Sequence, residues 1–217
     1  MSQHPLPLSY LIIGCGHFGS RAVEKLFQKN PRSKIIVVDR YKKPLQKVSR
    51  FPVEIVISEG VSYLEQFLSH GRKTDYIIPA VPLHLAFEFI LAQLKPFGVK
   101  RKRIPPIPGL PNPVIGKTGD LYTSFADFLC SEDCPEPARY CTVTGIRHKD
   151  PLYQIFRDLK GPFESKVIRS DPLAPGVGGF QPKGLLDLLE WIKNNLGQLF
   201  LISTASRCHG VTSALSF

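Results

Sequence analysis

The stretch Tyr10-Leu11-Ile12-Ile13-Gly14-Cys15-Gly16-His17-Phe18-Gly19 decides how this 217-residue chain is read. Its first four residues have the length and β-branched content of a buried parallel strand. The strand breaks at Gly14, Gly16 and Gly19, the G-x-G-x-x-G spacing of a dinucleotide turn. In such a turn the first glycine permits the tight bend and the second lets backbone approach a pyrophosphate with no Cβ in the way. The third allows a helix to pack closely on the strand. Phe18, Ala22 and Leu26 recur at helical spacing, with Val23 and Phe27 beside them, which predicts a helix with one buried face that Asn30-Pro31 stops. Its N-terminus would direct free N–H groups and the positive dipole end at the turn, where a phosphate would sit. Residues 34–38 read as a second strand, closed by Asp39, where an acidic side chain accepts hydrogen bonds from an adenosine ribose.

Gly14, Gly16, Phe18, Gly19, Asp39 and Arg40 are therefore the candidate cofactor-binding residues. Asp39 favours NAD(H), because a carboxylate repels a 2′-phosphate. Arg40, Lys42 and Lys43 follow at once and would accommodate that phosphate, which keeps NADP(H) as an alternative.

Working outward, residues 44–50 make at best a short helix and 53–57 a third strand. Val61, Leu64 and Leu68 mark a helix that Gly71 ends, and 75–80 form a fourth strand. Residues 83–94 then read as a helix apolar on nearly every side, hence deeply buried. Alternating strands and helices imply an α/β fold with a doubly wound, mostly parallel, Rossmann-like sheet.

The same stretch resembles the NAD-binding domain of Trk-type potassium-uptake regulators, the ligand-gating domain also attached to some potassium channels. The likeness covers roughly residues 8–94. It is carried by Ile12-Ile13-Gly14-x-Gly16-x-Phe18-Gly19, by the strand ending Val38-Asp39, and by the third strand followed by a turn. The family usually has Gly-Asp after that third strand, whereas this chain has Ser58-Glu59-Gly60; Pro79 and Pro82 around the fourth strand are also unusual for it. The resemblance implies a nucleotide pocket and, for a regulator, a protein or membrane-protein partner.

Charge is unevenly spread. Residues 1–108 hold 17 Lys and Arg against 7 Asp and Glu, whereas residues 109–217 hold 11 of each. The basic excess thus lies in the half with the glycine turn, where it would steer a phosphorylated ligand or form a solvated face. The run Lys100-Arg101-Lys102-Arg103 lacks the interleaved aromatics of a single-strand nucleic-acid groove, so nucleic acid is not an expected partner. Residues 104–113 contain five prolines and should be extended, which suggests a domain spanning 1–103, a linker or crossover over 104–120, and a further α/β part over 121–217. Gly116-Lys117-Thr118 lacks the glycine that a P-loop places five positions earlier, since Pro111 stands there. The window 76–94 is broken by Pro79, Pro82, His84 and Glu88, so no transmembrane segment is expected. Five cysteines, unevenly spaced, do not suggest a secreted disulfide framework, and a cytoplasmic protein with reduced thiols is expected.

In the second half, 121–129 is helical by the spacing of Leu121, Phe125 and Leu129. Residues 141–146 read as a strand, Asp150-Pro151 as a helix start, and 166–169 as a strand. A glycine-rich loop over 173–180, a helix over 184–195 and a last strand over 199–204 follow. These units fit a continuation of the first sheet, with a separate second domain as the alternative. Parallel strand ends would gather His84, Arg147, His148, the Gly176-x-Gly178-Gly179 loop and Arg207-Cys208-His209 at the nucleotide edge.

Cys130, Cys134, Cys141 and Cys208 are candidate ligands for zinc or an iron–sulfur cluster. Cys134-Pro135 matches the Cys-Pro that closes ferredoxin ligand runs, although the intervening gaps match neither the ferredoxin nor the usual zinc spacing. In a continuous parallel sheet Cys141 and Cys208 would lie at opposite edges, so that geometry argues against Cys208. Two classes of function fit: a non-catalytic NAD(H)-sensing regulator, expected as a homo-oligomer, or an NAD(P)-dependent oxidoreductase whose second half supplies the substrate site.

Overall fold

The structure, a computed structural model, describes residues 6–137 and 139–217. Its first unit runs β1 (Ser9–Ile13), α1 (His17–Lys29), β2 (Lys34–Asp39), α2 (Lys42–Leu45), β3 (Glu54–Ile57), α3 (Gly60–Ser69), β4 (Tyr76–Pro79) and α4 (Leu85–Leu94). The strands pair in the order β3-β2-β1-β4, all parallel. Strand alternation sends Leu11, Ile13 and Val38 into one core with Leu64, Phe67 and the apolar residues of α4. Tyr10, Ile12, Ile35 and Val37 enter another with Ala22, Val23 and Leu26 of α1 and Leu45 of α2. Helices thus cover both faces, which is why the central strands are apolar throughout.

The second unit comprises β5 (Lys100–Lys102), β6 (Val114–Ile115), β7 (Leu121–Ser124), α5 (Leu152–Arg157), β8 (Glu164–Arg169), β9 (Asp171–Ala174), β10 (Val177–Gly179), α6 (Pro182–Lys193), β11 (Leu199–Ala205) and β12 (His209–Ser216). It does not extend the first sheet. It builds its own mixed sheet, β6-β7-β12-β11-β8, in which only β8 and β11 pair in parallel; β5 also pairs with β12. The basic run at Lys100–Lys102 is therefore a strand of the second sheet, beyond which the proline-rich stretch is irregular, as its composition implies.

Several expectations for this half are corrected. Residues 121–124 form a strand rather than the start of a helix, because their alternation, with Leu121 and Thr123 buried, matches a partner strand at β12. Leu129, assigned to the same apolar face, is 98% exposed. Residues 141–146 are not a strand: Gly145 has φ 69° and its N–H donates to the Cys141 carbonyl, closing a tight turn. The chain also does not end on the strand 199–204. Ser206, Arg207 and Cys208 turn it back into β12, whose small and polar residues hide its strand character. Gly116-Lys117-Thr118 lies in the turn between the antiparallel β6 and β7, with no relation to a phosphate loop.

The two units interlock. The β9–β10 hairpin reaches the free edge of β4, where the Ile77 N–H donates to the Phe180 carbonyl (2.8 Å) and the Phe180 N–H to that of Ile77 (3.0 Å). Lys29, at the end of α1, donates to the Leu173 carbonyl of the hairpin. One core then runs from Leu11 through α4 to Leu185 and Ile192 of α6 and to Phe200, Ile202 and Leu215 of the second sheet. No helix among the described residues is long and apolar enough to cross a membrane.

A buried polar chain crosses the same junction. His84 is 2% exposed, its Nδ1 2.8 Å from the Ser213 hydroxyl and its Nε2 2.9 Å from that of Thr204. Ser213 donates to Asp120, which also accepts from Arg101 (2.6 Å) and Thr118; Arg101 reaches on to Glu88 of α4. Burial pulls His84 down from the ordinary 6.5 to about 3, although the Asp120 charge opposes the shift. Burial pushes the Asp120 carboxyl up, but hydrogen bonds from Ser213, Thr118 and Arg101 outweigh it and hold the group below its ordinary value.

Between the unfolded value near 6.5 and the folded value of about 3, only the unfolded chain protonates at His84. Stability therefore falls with falling pH across that window, by up to about 1.4 kcal/mol per pH unit. Asp120 acts in the same sense lower down: its contribution is present above the unfolded carboxylate pKa and is lost as pH falls through the folded one. Urea unfolding at a series of pH values should show this slope, and His84→Gln should flatten it. The same slope in both proteins would remove His84 as its source.

Candidate functional site

The turn after β1 has the local geometry its glycines imply. Gly14 has φ 98°, and an added Cβ there would collide with the Ala80 carbonyl. A Cβ at Gly19 would fall on the Gly14 carbonyl, so α1 and the turn touch backbone to backbone. Gly16 is different. It caps α1, and nothing lies within 4 Å of the position a Cβ would take. The Asp39 carboxylate accepts from the Cys15 N–H (2.8 Å) and the Tyr41 N–H (2.9 Å), which braces the turn against the end of β2. Arg40 points outward and pairs with Glu59 at 3.6 Å. Cys15 is buried beneath the turn, and burial, with the Asp39 charge, pushes its thiol up to about 11.

Phe18 is not on the buried face of α1 that its spacing suggests. Gly19 takes that place, because only a residue without a side chain fits against Gly14, and Phe18 stands 65% exposed. It contributes instead to a cavity of about 800 Å³ whose other lining residues all lie beyond α4; Gly14, Gly16, Gly19, Asp39 and Arg40 do not line it. Arg147 and Gly179 do not line this cavity either, but His148, Gly176, Gly178, Arg207, Cys208 and His209 do, and so meet there. His84 does not join them. It is the buried histidine of the unit junction, and both its ring nitrogens are engaged there rather than free for proton transfer to a ligand.

The wall opposite Phe18 is the connection between β7 and α5, which carries Cys130, Cys134 and Cys141. Salt bridges latch it to the first turns of α1: Glu132 meets His17 (2.8 Å) and Arg21 (3.4 Å), while Asp133 meets Arg21 (2.9 Å) and Lys25 (2.8 Å). The Gly176 N–H donates to the Cys134 carbonyl (2.9 Å), and the Cys208 N–H donates to Glu136 (3.0 Å). His148 stacks on Phe125 with ring centroids 3.8 Å apart. Ser124 Oγ lies 3.0 Å from His209 Nδ1. The Glu132-Asp133 pair escaped sequence reading. Its signal is the acidic pair set against His17, Arg21 and Lys25 on one helix, but a contact spanning more than a hundred residues is not legible along the chain.

All four candidate ligand cysteines line this one cavity. Burial raises the Cys130 thiol, and the nearby Cys134 and Cys141 add to the shift. Burial likewise pushes Cys208 up to about 11, with Glu136, Cys134 and Cys141 contributing. Cys141 moves the other way, because its sulfur accepts from the Thr144 hydroxyl and from the N–H groups of Thr144 and Val143. As they lie, no three His, Cys, Asp or Glu side chains among the described residues are set to hold a metal ion.

The family model described as "Uncharacterized protein, C-terminal domain" (AF_1314_C) matches residues 86–217. The chain belongs to this family. The matched segment begins within α4 and takes in the second sheet, the hairpin and the four cavity cysteines, but not the glycine turn. An uncharacterized protein of Archaeoglobus fulgidus is 29% identical over 219 residues, covering 94% of this chain and 98% of that protein. No solved structure matches the chain.

The two glycines should separate packing from access. Gly19→Ala should destabilise the protein by about 1–3 kcal/mol, the usual cost of overpacking a fixed contact. Gly16→Ala should change stability by no more than about 0.5 kcal/mol, as at an open surface position. Denaturant unfolding of both variants checks this, and equal losses would show that Gly16 is also a packing residue.

Proposed function

We propose that this protein binds NAD(H) at the turn after β1 and acts as a non-catalytic, nucleotide-sensing regulator. On this reading the first unit is one half of a doubly wound, Rossmann-type fold. Its ligand lies outside the carboxyl ends of β1 and β2. The observation that carries it is the open space over Gly16 at the N-terminus of α1, beside the carboxylate that ends β2. A pyrophosphate approaching Gly16 meets the free N–H groups and dipole of α1. Each Asp39 oxygen takes one backbone N–H and keeps a lone pair for a ribose hydroxyl. The likeness to Trk-type regulators in the same residues supports this reading. The regulatory sense rests on the latch: His17 and Arg21 join the turn to Glu132, so a ligand there acts directly on the loop of the second unit.

The cavity beside Phe18 favours one further reading, an NAD(P)-dependent oxidoreductase, because about 800 Å³ is room enough for a small substrate. Calorimetry with NADH and NADPH tests the common claim. NADH should bind, Gly16→Val should abolish binding with the fold intact, and Asp39→Asn should shift preference toward NADPH. Equal affinity in wild type and Gly16→Val would remove the nucleotide reading. Oxidation of bound NADH by added substrate would turn the regulator into the enzyme.

A further inference from the structure

The connection between Ser124 and Leu152 is the least self-sufficient part of the described fold. Connections longer than about 12–15 residues without secondary structure are uncommon in compact domains and are usually functional. Among its described residues no helix or strand forms, and Leu129, Tyr140, Val143 and Ile146 are exposed rather than gathered into a core. Segments of this kind hold a shape through cross-links or metal, because they bury too little apolar surface to offset chain entropy. No disulfide is present here; all five cysteines are free.

The second sheet brings the fourth cysteine to this loop. Because β12 turns back antiparallel to β11, Cys208 lies in the turn between them and faces the cavity that Cys130, Cys134 and Cys141 line. The objection that a continuous parallel sheet would keep Cys208 at the far edge therefore does not apply. Cys208 sits on a rigid hairpin, and its N–H holds Glu136, two residues after Cys134. Cys141 lies at a tight turn closed by the Gly145 N–H. Cys15 is excluded, since it is buried under the glycine turn against the Pro44 carbonyl.

We propose that Cys130, Cys134, Cys141 and Cys208 are the thiolate ligands of one metal centre, a zinc ion or an iron–sulfur cluster, that closes the β7–α5 loop onto the β11–β12 turn. The three loop cysteines are near in sequence, so drawing them together costs little loop entropy, while Cys208 supplies the fixed point. Ligation by a divalent ion displaces one proton from each thiol, four in all, and no electron is exchanged. Closing the loop also sets the position of Glu132 and Asp133 on α1.

Elemental analysis and absorption spectra of anaerobically purified full-length protein test the proposal. The expected result is about one equivalent of zinc, or iron with matching sulfide, and the two are distinguished by the assay itself. Cys134→Ser, Cys141→Ser and Cys208→Ser should each lower metal retention against a chelator by roughly tenfold or more, and Cys15→Ser should leave it unchanged. Because a ligand variant can fail to fold, Co²⁺ is also titrated into reduced, metal-free wild-type protein. Thiolate-to-cobalt charge-transfer absorption and the release of close to four protons per ion are expected. Absence of zinc, iron and the cobalt signal overturns the proposal, as does full metal retention in all three ligand variants.

Discussion

The rest of the structure depends on the burial of α4 between two sheets. Leu85, Ala86, Phe87, Phe89, Ile90 and Leu94 are all buried, and the other residues of this helix are only partly exposed. A helix apolar on nearly every side is stable only when covered all round. The first sheet covers one flank, and α6 with Phe200, Ile202 and Leu215 covers another. Neither unit buries α4 alone, which makes the two halves one folding problem despite their separate sheets. Each fully buried Leu, Ile or Phe along this core contributes about 1.5–3 kcal/mol, so the contact outweighs any surface ion pair in the molecule.

Polar groups at the junction follow from that burial. Glu88 is a charged side chain on an otherwise apolar helix, and Arg101 answers it from β5. Arg101 also lies over the Phe87 ring and pairs with the fully buried Asp120 carboxylate. Asp120, Ser213 and His84 continue the chain, which leaves few lone pairs or protons unmet. Such a network fixes how the sheets meet rather than adding much net stability, since each charge has already lost its water. The hairpin edge contact works alongside it. Phe180 and Ile77 exchange backbone hydrogen bonds, and the β4 edge is thereby no longer open.

With the two units held this way, the cavity is a consequence rather than an independent feature. Its walls are the cysteine loop, the β9–β10 hairpin and the β11–β12 turn. Phe18, displaced outward by the contact between Gly14 and Gly19, forms part of its wall. The latch of Glu132 and Asp133 on α1 places acidic groups near a helix N-terminus, the end where negative charge is favoured. Salt bridges thus tie α1, the helix that follows the glycine turn, to the cysteine loop.

The sequence by itself determined the first unit. Its strands are short β-branched runs, its helices have clear spacing, and Gly14, Gly16 and Gly19 carry requirements that are local in the chain. The element bounds over residues 9–94 differ from the reading by only a few residues. Tertiary structure alone decided the second unit. Leu121, Thr123 and the small polar residues of β12 become strands because they find each other across the sheet, and no local pattern encodes that pairing. Phe18 read as core from its period and is exposed, because a backbone contact at Gly19 overrode the stripe. The meeting of Cys208 with three cysteines some seventy residues earlier depends on one reversal of direction after β11. Antiparallel return and parallel continuation differ only in what covers the chain, and that is settled by the whole core, not by the residues of the turn.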